Sequence, residues 1–196
     1  MIDPAILLRY RGFIKEFDKN ETVFLQGEEP RYYYQIVQGK VKMNNYNEDG
    51  KEFIQGLFGD GESFGEPPLF CAVNYPANAV TLQATRILLI SKSDFYTLLE
   101  HETSSCFTVL QALSSRLYYK SIMAPDISSN DSEKRILTLL HFIKEQNQVG
   151  QQEFLVELTR QQIADMTGLR VETVIRTIKE MESKKQIRIE RGKLFI

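Results

Sequence analysis

The hydrophobic period of the chain changes near Ser93, and that change limits the folds open to it. Upstream, from Glu21 to Ser91, short runs rich in β-branched and aromatic residues are separated by turn residues at Gly27, Gly39, Asp49-Gly50, Gly59, Gly61, Gly65 and Tyr75-Pro76. Runs at 23–25, 32–37, 41–46, 53–58, 77–84 and 86–90 have strand length, and their spacing predicts a small barrel or jelly roll. Asp3-Pro4 has the form of an N-cap followed by proline at the first helical position, so residues 4 to about 12 are expected to form a short leading helix. Downstream, Phe107, Leu110, Leu113, Leu117 and Ser121 recur at intervals of three or four, which predicts a long helix over about 93–123. Its apolar stripe either covers the β-domain or forms the seam of a dimer. Strands first and helices after them define an α+β chain.

At 196 residues the chain is long enough for two modest domains with a core each. The division is expected at Ala124, giving an N-terminal domain over 1–124 and a C-terminal one over 125–196. Pro125 to Asn130 is a polar breaker segment and the candidate hinge. Asn130 and Glu133 then have capping-box spacing ahead of a helix with Ile136, Leu139, Leu140 and Ile143 on one face. Residues 154–158 read as a strand, and Thr159 to Gln162 form a capping box that opens a short helix through Met166. After Thr167-Gly168-Leu169 comes a helix from Val171 to about Ser183, and two short β-rich runs flank Arg191-Gly192 as a hairpin.

Two short helices joined by a glycine-containing turn fit a helix-turn-helix. Ala164 is small enough for the helices to cross closely, Gly168 can take a positive φ, and Ile163, Leu169 and Val174 would form the shared core. The second helix would present Arg170, Glu172, Thr173, Arg176 and Lys179 outward, a set able to reach base edges and phosphates. Charge agrees locally: the formal net charge is -2, but from Arg170 to Lys193 eight basic residues face four acidic ones. A basic face can neutralise phosphates on an acidic chain.

The segment 158–179, LTRQQIADMTGLRVETVIRTIK, resembles the winged helix-turn-helix of the Crp/Fnr regulators, with their T-R-x-x-I-A, turn glycine and E-T-V-x-R. Phe24-Leu25-Gln26-Gly27-Glu28 resembles the family's F-x-x-G-E, and residues 34–41 its Y-x-I-x-x-G-x-V. Asp49-Gly50-Lys51-Glu52, Phe64-Gly65-Glu66 and Leu113-Ser114-Ser115-Arg116-Leu117 continue the series in order. The resemblance implies an N-terminal β jelly roll with a long dimerisation helix and a C-terminal winged helix-turn-helix. It implies a cytoplasmic, non-enzymatic transcription regulator that binds double-stranded DNA as a homodimer, with RNA polymerase a further partner of an activator.

Carried over by position, the DNA-binding set is Thr159, Arg160, Arg170, Val171, Glu172, Thr173, Ile175, Arg176 and Lys179, and the dimer seam is Phe107, Leu110, Leu113 and Leu117. Glu172 and Arg176 match the family's base-reading pair. Val171 stands where the cyclic-AMP-responsive branch has a second arginine, which brings the pattern closer to the fumarate-nitrate branch; Ile175 offers only apolar contact. Arg170 fills the N-cap position of the second helix without a capping side chain, which suggests a weak cap or a phosphate contact.

The effector pocket implied by the resemblance comprises Phe64, Gly65, Glu66, Tyr75, Ala77, Asn78, Tyr119 and Lys120. Where cyclic-nucleotide binders carry an Arg-Ser pair for the phosphate, residues 74–79 read Asn-Tyr-Pro-Ala-Asn-Ala, so the small-molecule effector is expected to be something other than cyclic AMP. No cofactor is identified. Cys71 and Cys106 lack CxxC spacing and read as buried free thiols; His101 and His141 read as structural or surface histidines; no metal site is expected. Residues 1–100 contain no histidine, which argues against a cupin-type metalloenzyme. No run approaches a membrane span, and the amino terminus lacks the pattern of an export signal. A cyclic-nucleotide-responsive regulator and a protein-interaction module are the competing readings.

Overall fold

A computed structural model describes residues 1–129, 131–147 and 153–196. The chain forms two compact units, Met1–Ser115 and Arg116–Ile196.

In the first unit, β1 (Phe13–Phe17), β2 (Thr22–Phe24), β3 (Tyr32–Gln38), β4 (Val41–Tyr46), β5 (Glu52–Phe58), β6 (Ser63–Phe64), β7 (Asn78–Thr81) and β8 (Thr85–Ser91) make two antiparallel four-stranded sheets, ordered β1-β8-β3-β6 and β2-β7-β4-β5. The space between the sheets is filled by Phe17, Phe24, Tyr34, Ile36, Val41, Met43, Phe64, Tyr75, Ile87 and Leu89. On β3 and β8 the alternate residues are buried as well. Tyr33, Leu88 and Ile90 pack with Leu7, Phe95, Leu98 and Val109, and the Tyr33 ring stacks on Phe95 at 4.2 Å. Burial on both faces is why these strands read as unbroken apolar runs.

The helices on that outer face are α1 (Pro4–Arg9), the short α2 (Pro67–Cys71), α3 (Lys92–His101) and the start of α4 (Thr103–Ser128). Asp3 caps α1 as expected, its carboxylate accepting from the Ala5 amide at 2.8 Å, but the helix stops at Arg9 because Arg11 turns to a φ of 66°. The expected helix over 93–123 is two helices, not one. Glu102 leaves helical geometry, and its carboxylate accepts from the Arg9 guanidinium and, at 3.3 Å, from the Tyr10 hydroxyl. Cys71 is exposed and Cys106 half-buried, so the expectation of two buried thiols is corrected. Among the described residues no helix is long and apolar enough to cross a membrane.

The second unit contains the end of α4, α5 (Ser132–Gln146), β9 (Leu155–Val156), α6 (Arg160–Thr167), α7 (Val171–Ser183), β10 (Arg188–Glu190) and β11 (Lys193–Phe195). Its core joins Met123, Ile136, Leu139, Leu140, Val156, Ile163, Val174, Ile178, Met181 and Leu194. The three-stranded sheet runs β10-β11-β9 and closes the wing. Asn130, half of the capping box read from the sequence, lies outside the described residues; the N-cap of α5 is Asp131, which accepts from the Lys134 amide at 3.0 Å.

Pro125 does not end α4, and the expected hinge is a helix end instead. Proline removes one backbone donor, a loss the surrounding bonds offset. The Ser128 hydroxyl donates to the Pro125 carbonyl at 2.7 Å, that of Ser129 to the Asp126 carbonyl at 2.9 Å, and the Asp126 carboxylate is buried against Thr138 and Lys134.

Candidate nucleic-acid interface

The capping box that opens α6 forms as the sequence predicts. The Thr159 hydroxyl accepts from the Gln162 amide at 3.1 Å, and the Gln162 side chain accepts from the Thr159 amide at 2.9 Å. Gly168 ends α6 with a φ of 71°, in the left-handed region that an L side chain resists. Ile163, Ala164 and Val174 are fully buried between the helices, and Leu169 packs at their edge.

This packing sorts α7 into two faces. Val174, Thr177, Ile178 and Met181 point inward, while Glu172, Ile175, Arg176 and Lys179 are exposed, with Val171 and Thr173 half-buried at the margin. The Arg176 guanidinium lies 3.9 Å from the Glu180 carboxylate one turn on, with 72% of its side chain accessible. So exposed a pair holds the arginine only weakly and leaves it able to turn outward. Arg170 is the N-cap of α7 and makes no capping hydrogen bond, so the first amides of α7 remain open to an anion. Thr159 is exposed at the start of α6, whereas Arg160 is half-buried, and burial lowers its pKa against the opposing pull of Glu182.

The basic residues after α7 differ in what they touch. Lys184 is held by the Glu133 carboxylate, which raises its pKa, and Arg188 lies between Glu153 and Glu190 with its guanidinium over the Phe195 ring. Among the described residues Lys185, Arg191 and Lys193 have no ion pair, and Arg191 and Gly192 form the wing tip with φ of 50° and 80°. The sequence pattern showed a basic hairpin without showing which charges were already neutralised. Lys185→Ala is therefore expected to weaken all DNA sequences alike and to flatten the logarithmic salt dependence by about one unit, while Lys184→Ala leaves that slope unchanged. Titrating affinity against salt for both variants measures this; equal slopes for the two would contradict it.

Residues 14–102 match the family described as the cyclic nucleotide-binding domain, and residues 134–196 match the Crp-like helix-turn-helix domain. The chain belongs to the Crp/Fnr family. It is a DNA-binding transcription regulator of the Crp/Fnr type. The cAMP-activated global transcriptional regulator CRP of Haemophilus influenzae is 27% identical over 177 residues, covering 89% of this chain and 79% of that protein. The global nitrogen regulator of a Nostoc species is 23% identical over 188 residues, covering 93% of this chain and 84% of that protein. The fold also matches a solved CooA mutant from Carboxydothermus hydrogenoformans, with a TM-score of 0.81 at 13% identity over 100% of this chain and 87% of that one.

In this Crp/Fnr chain the residues expected around an effector divide between the two units. Phe64, Gly65, Tyr75 and Ala77 come together between the sheets, and Glu66 is buried beside them. The Tyr75 ring lies flat on Phe24, centroids 3.7 Å apart, and a Cβ on Gly65 (φ 74°) would approach that Phe24 ring to 3.0 Å. Burial raises the Tyr34 phenol to about 12 and pushes the Tyr75 phenol up as well, so both rings stay neutral. Asn78 serves the backbone: its side-chain oxygen accepts from the Gln26 amide at 2.9 Å and its amide donates to the Asn44 carbonyl at 3.3 Å. Tyr119 stacks on Phe142 at 4.1 Å in the second unit, and Lys120 is exposed on α4.

The stripe of α4 is likewise divided. Val109 is buried against the outer face of the β-unit and Leu113 packs partly there, while Phe107, Leu110 and Leu117 are 67%, 51% and 65% exposed and Tyr118 is 61% exposed.

Proposed function

We propose that this Crp/Fnr regulator binds a two-fold symmetric duplex site as a homodimer, with Glu172 and Arg176 reading bases. The sorting of α7 carries this reading: its buried face fixes the helix in the unit, and its opposite face offers Glu172, Ile175, Arg176 and Lys179 together. Arg176 presents two parallel N–H donors to O6 and N7 of guanine, Ile175 offers a methyl surface to thymine, and the open amides of Arg170-Val171 suit a phosphate. Phe107, Leu110 and Leu117 leave an uncovered apolar stripe at coiled-coil spacing, which a second copy of α4 would cover. Two half-sites then lie about one helical turn apart. RNA polymerase is the further partner if the outcome is activation. Selection from random duplexes tests the reading: it should recover an inverted repeat, and recovery of an unrepeated site or none would overturn it.

The sensor responds, on this proposal, to an effector other than cyclic AMP. A desolvated cyclic phosphate needs a charge-assisted partner. Residues 74–79 contain no arginine or lysine, and Tyr75 and Ala77 turn inward into an aromatic core. Cyclic AMP at physiological concentration should change neither the melting temperature nor the DNA affinity, since only a ligand of the folded state raises its stability. A saturable upward shift in melting temperature would overturn this part.

A further inference from the structure

One arginine gathers two helix ends in the second unit. Arg135, on the first turn of α5, donates from Nε to the Asp126 carbonyl at 3.3 Å and from Nη2 to the carbonyls of Ile127 at 3.0 Å and Ser129 at 2.8 Å. These carbonyls lie in the last turn of α4 and just past it, where the helix runs out of its own backbone donors. Its remaining arm, Nη1, donates to the Thr167 carbonyl at 3.1 Å. Thr167 is the last residue of α6, directly before the Gly168 turn into α7. Beside this fan the Asp126 carboxylate is 3% exposed, accepting from the Thr138 hydroxyl at 2.6 Å and pairing with Lys134 at 3.0 Å. Tyr119 and Met123 add apolar packing from the same stretch of α4 to the core of the unit.

We infer that Arg135 is a positioning residue for DNA recognition: it locks the end of α4 to the turn of the helix-turn-helix and so sets the spacing between half-sites that the dimer accepts. The inference rests on the symmetric-site reading above. Leu117 of the stripe offered to a second copy and the end clamped by Arg135 lie on the same stretch of α4 inside the second unit. With that end bonded to the residue before Gly168, α7 is tied to the end of α4 at residues 126–129. Inserting one base pair between half-sites moves them apart by about 3.4 Å and rotates one by about a tenth of a turn, a change that a rigid junction resists and a loose one follows. Only a planar guanidinium with five donors can reach carbonyls on both helix ends at once; a lysine keeps the charge but concentrates its donors at one point.

The test compares the native protein with Arg135→Lys and Asp126→Asn, which loosen the same junction from opposite sides, on the selected site and on sites with one base pair inserted or removed at the centre. Melting curves and affinity for a single half-site are recorded for each. The native protein should disfavour the altered spacings by about tenfold or more, and both variants by about threefold or less, with half-site preference retained. If the native protein selects no inverted repeat, the symmetric-site reading itself fails, and the native arm alone reveals it. If it does select one and both variants discriminate spacing as it does, or lose affinity equally at every spacing, Arg135 is only a stabilising cap and the inference is overturned.

Discussion

Arg176→Ala should cost about 1–3 kcal/mol per half-site and relax the preference at one symmetric base pair, with nonspecific affinity falling far less. The expectation follows from where the side chain is held. Val174 and Ile178 bury the opposite face of α7, so the Arg176 backbone is fixed while its guanidinium, in a weak exposed pair with Glu180, needs little energy to turn toward a base. A dimer carries the loss twice, so specific affinity should fall by about one to four orders of magnitude. Binding selection on the variant should return the same inverted repeat, degenerate at that one pair. Recovery of the original site with unchanged discrimination would mean that Arg176 reads no base and that α7 is not the recognition helix.

The joint variant Leu110→Glu with Leu117→Glu should raise the dimer dissociation constant by about three orders of magnitude or more, because each buried carboxylate would face its own symmetry mate without a counter-charge. Both leucines are more than half exposed in the single chain, so the β-unit should keep its fold and melting temperature. Leu113 is a poor choice for this test, because it packs partly against the core around Leu7, Phe95 and Val109, and a charge there would damage the unit itself. Sedimentation or light scattering at micromolar concentration should show a monomer, and symmetric-site binding should be lost with it. A variant that remains dimeric would move the seam away from this stripe.

The strands at 41–46 and the helix from Val171 to Ser183 stand at the bounds the residues predict, because the local signals were strong: alternation and turn residues for the one, a wide apolar stripe after a breaking glycine for the other. Less was legible at the edges. β1 escaped notice because it is an edge strand with only Phe17 buried, so its residues carry little periodic pattern. β6 and α2 are too short to show a period at all. Residues 77–84 read as one strand, yet only Asn78–Thr81 pairs, because Leu82 leaves the ladder to bond the Lys40 carbonyl.

By itself the sequence determined the class of the molecule: a β-rich half, a long helix, and a helix-turn-helix whose caps, turn glycine and inward residues all act within about a turn of one another along the chain. It also determined that no arginine stands in the segment 74–79. What only the tertiary structure decided were the outcomes that depend on partners distant in sequence. Glu133 neutralises Lys184 across 51 residues, Arg135 reaches Thr167 across 32, and Glu102 stops a helix because Arg9 and Tyr10 hold its carboxylate from more than 90 residues away. Pro125 reads locally as a break, but a buried Asp126 and the donors of Arg135 keep α4 helical past it. Local propensity is a weak term of well under 1 kcal/mol per ordinary residue, and such long-range bonds and burial outweigh it wherever the two disagree.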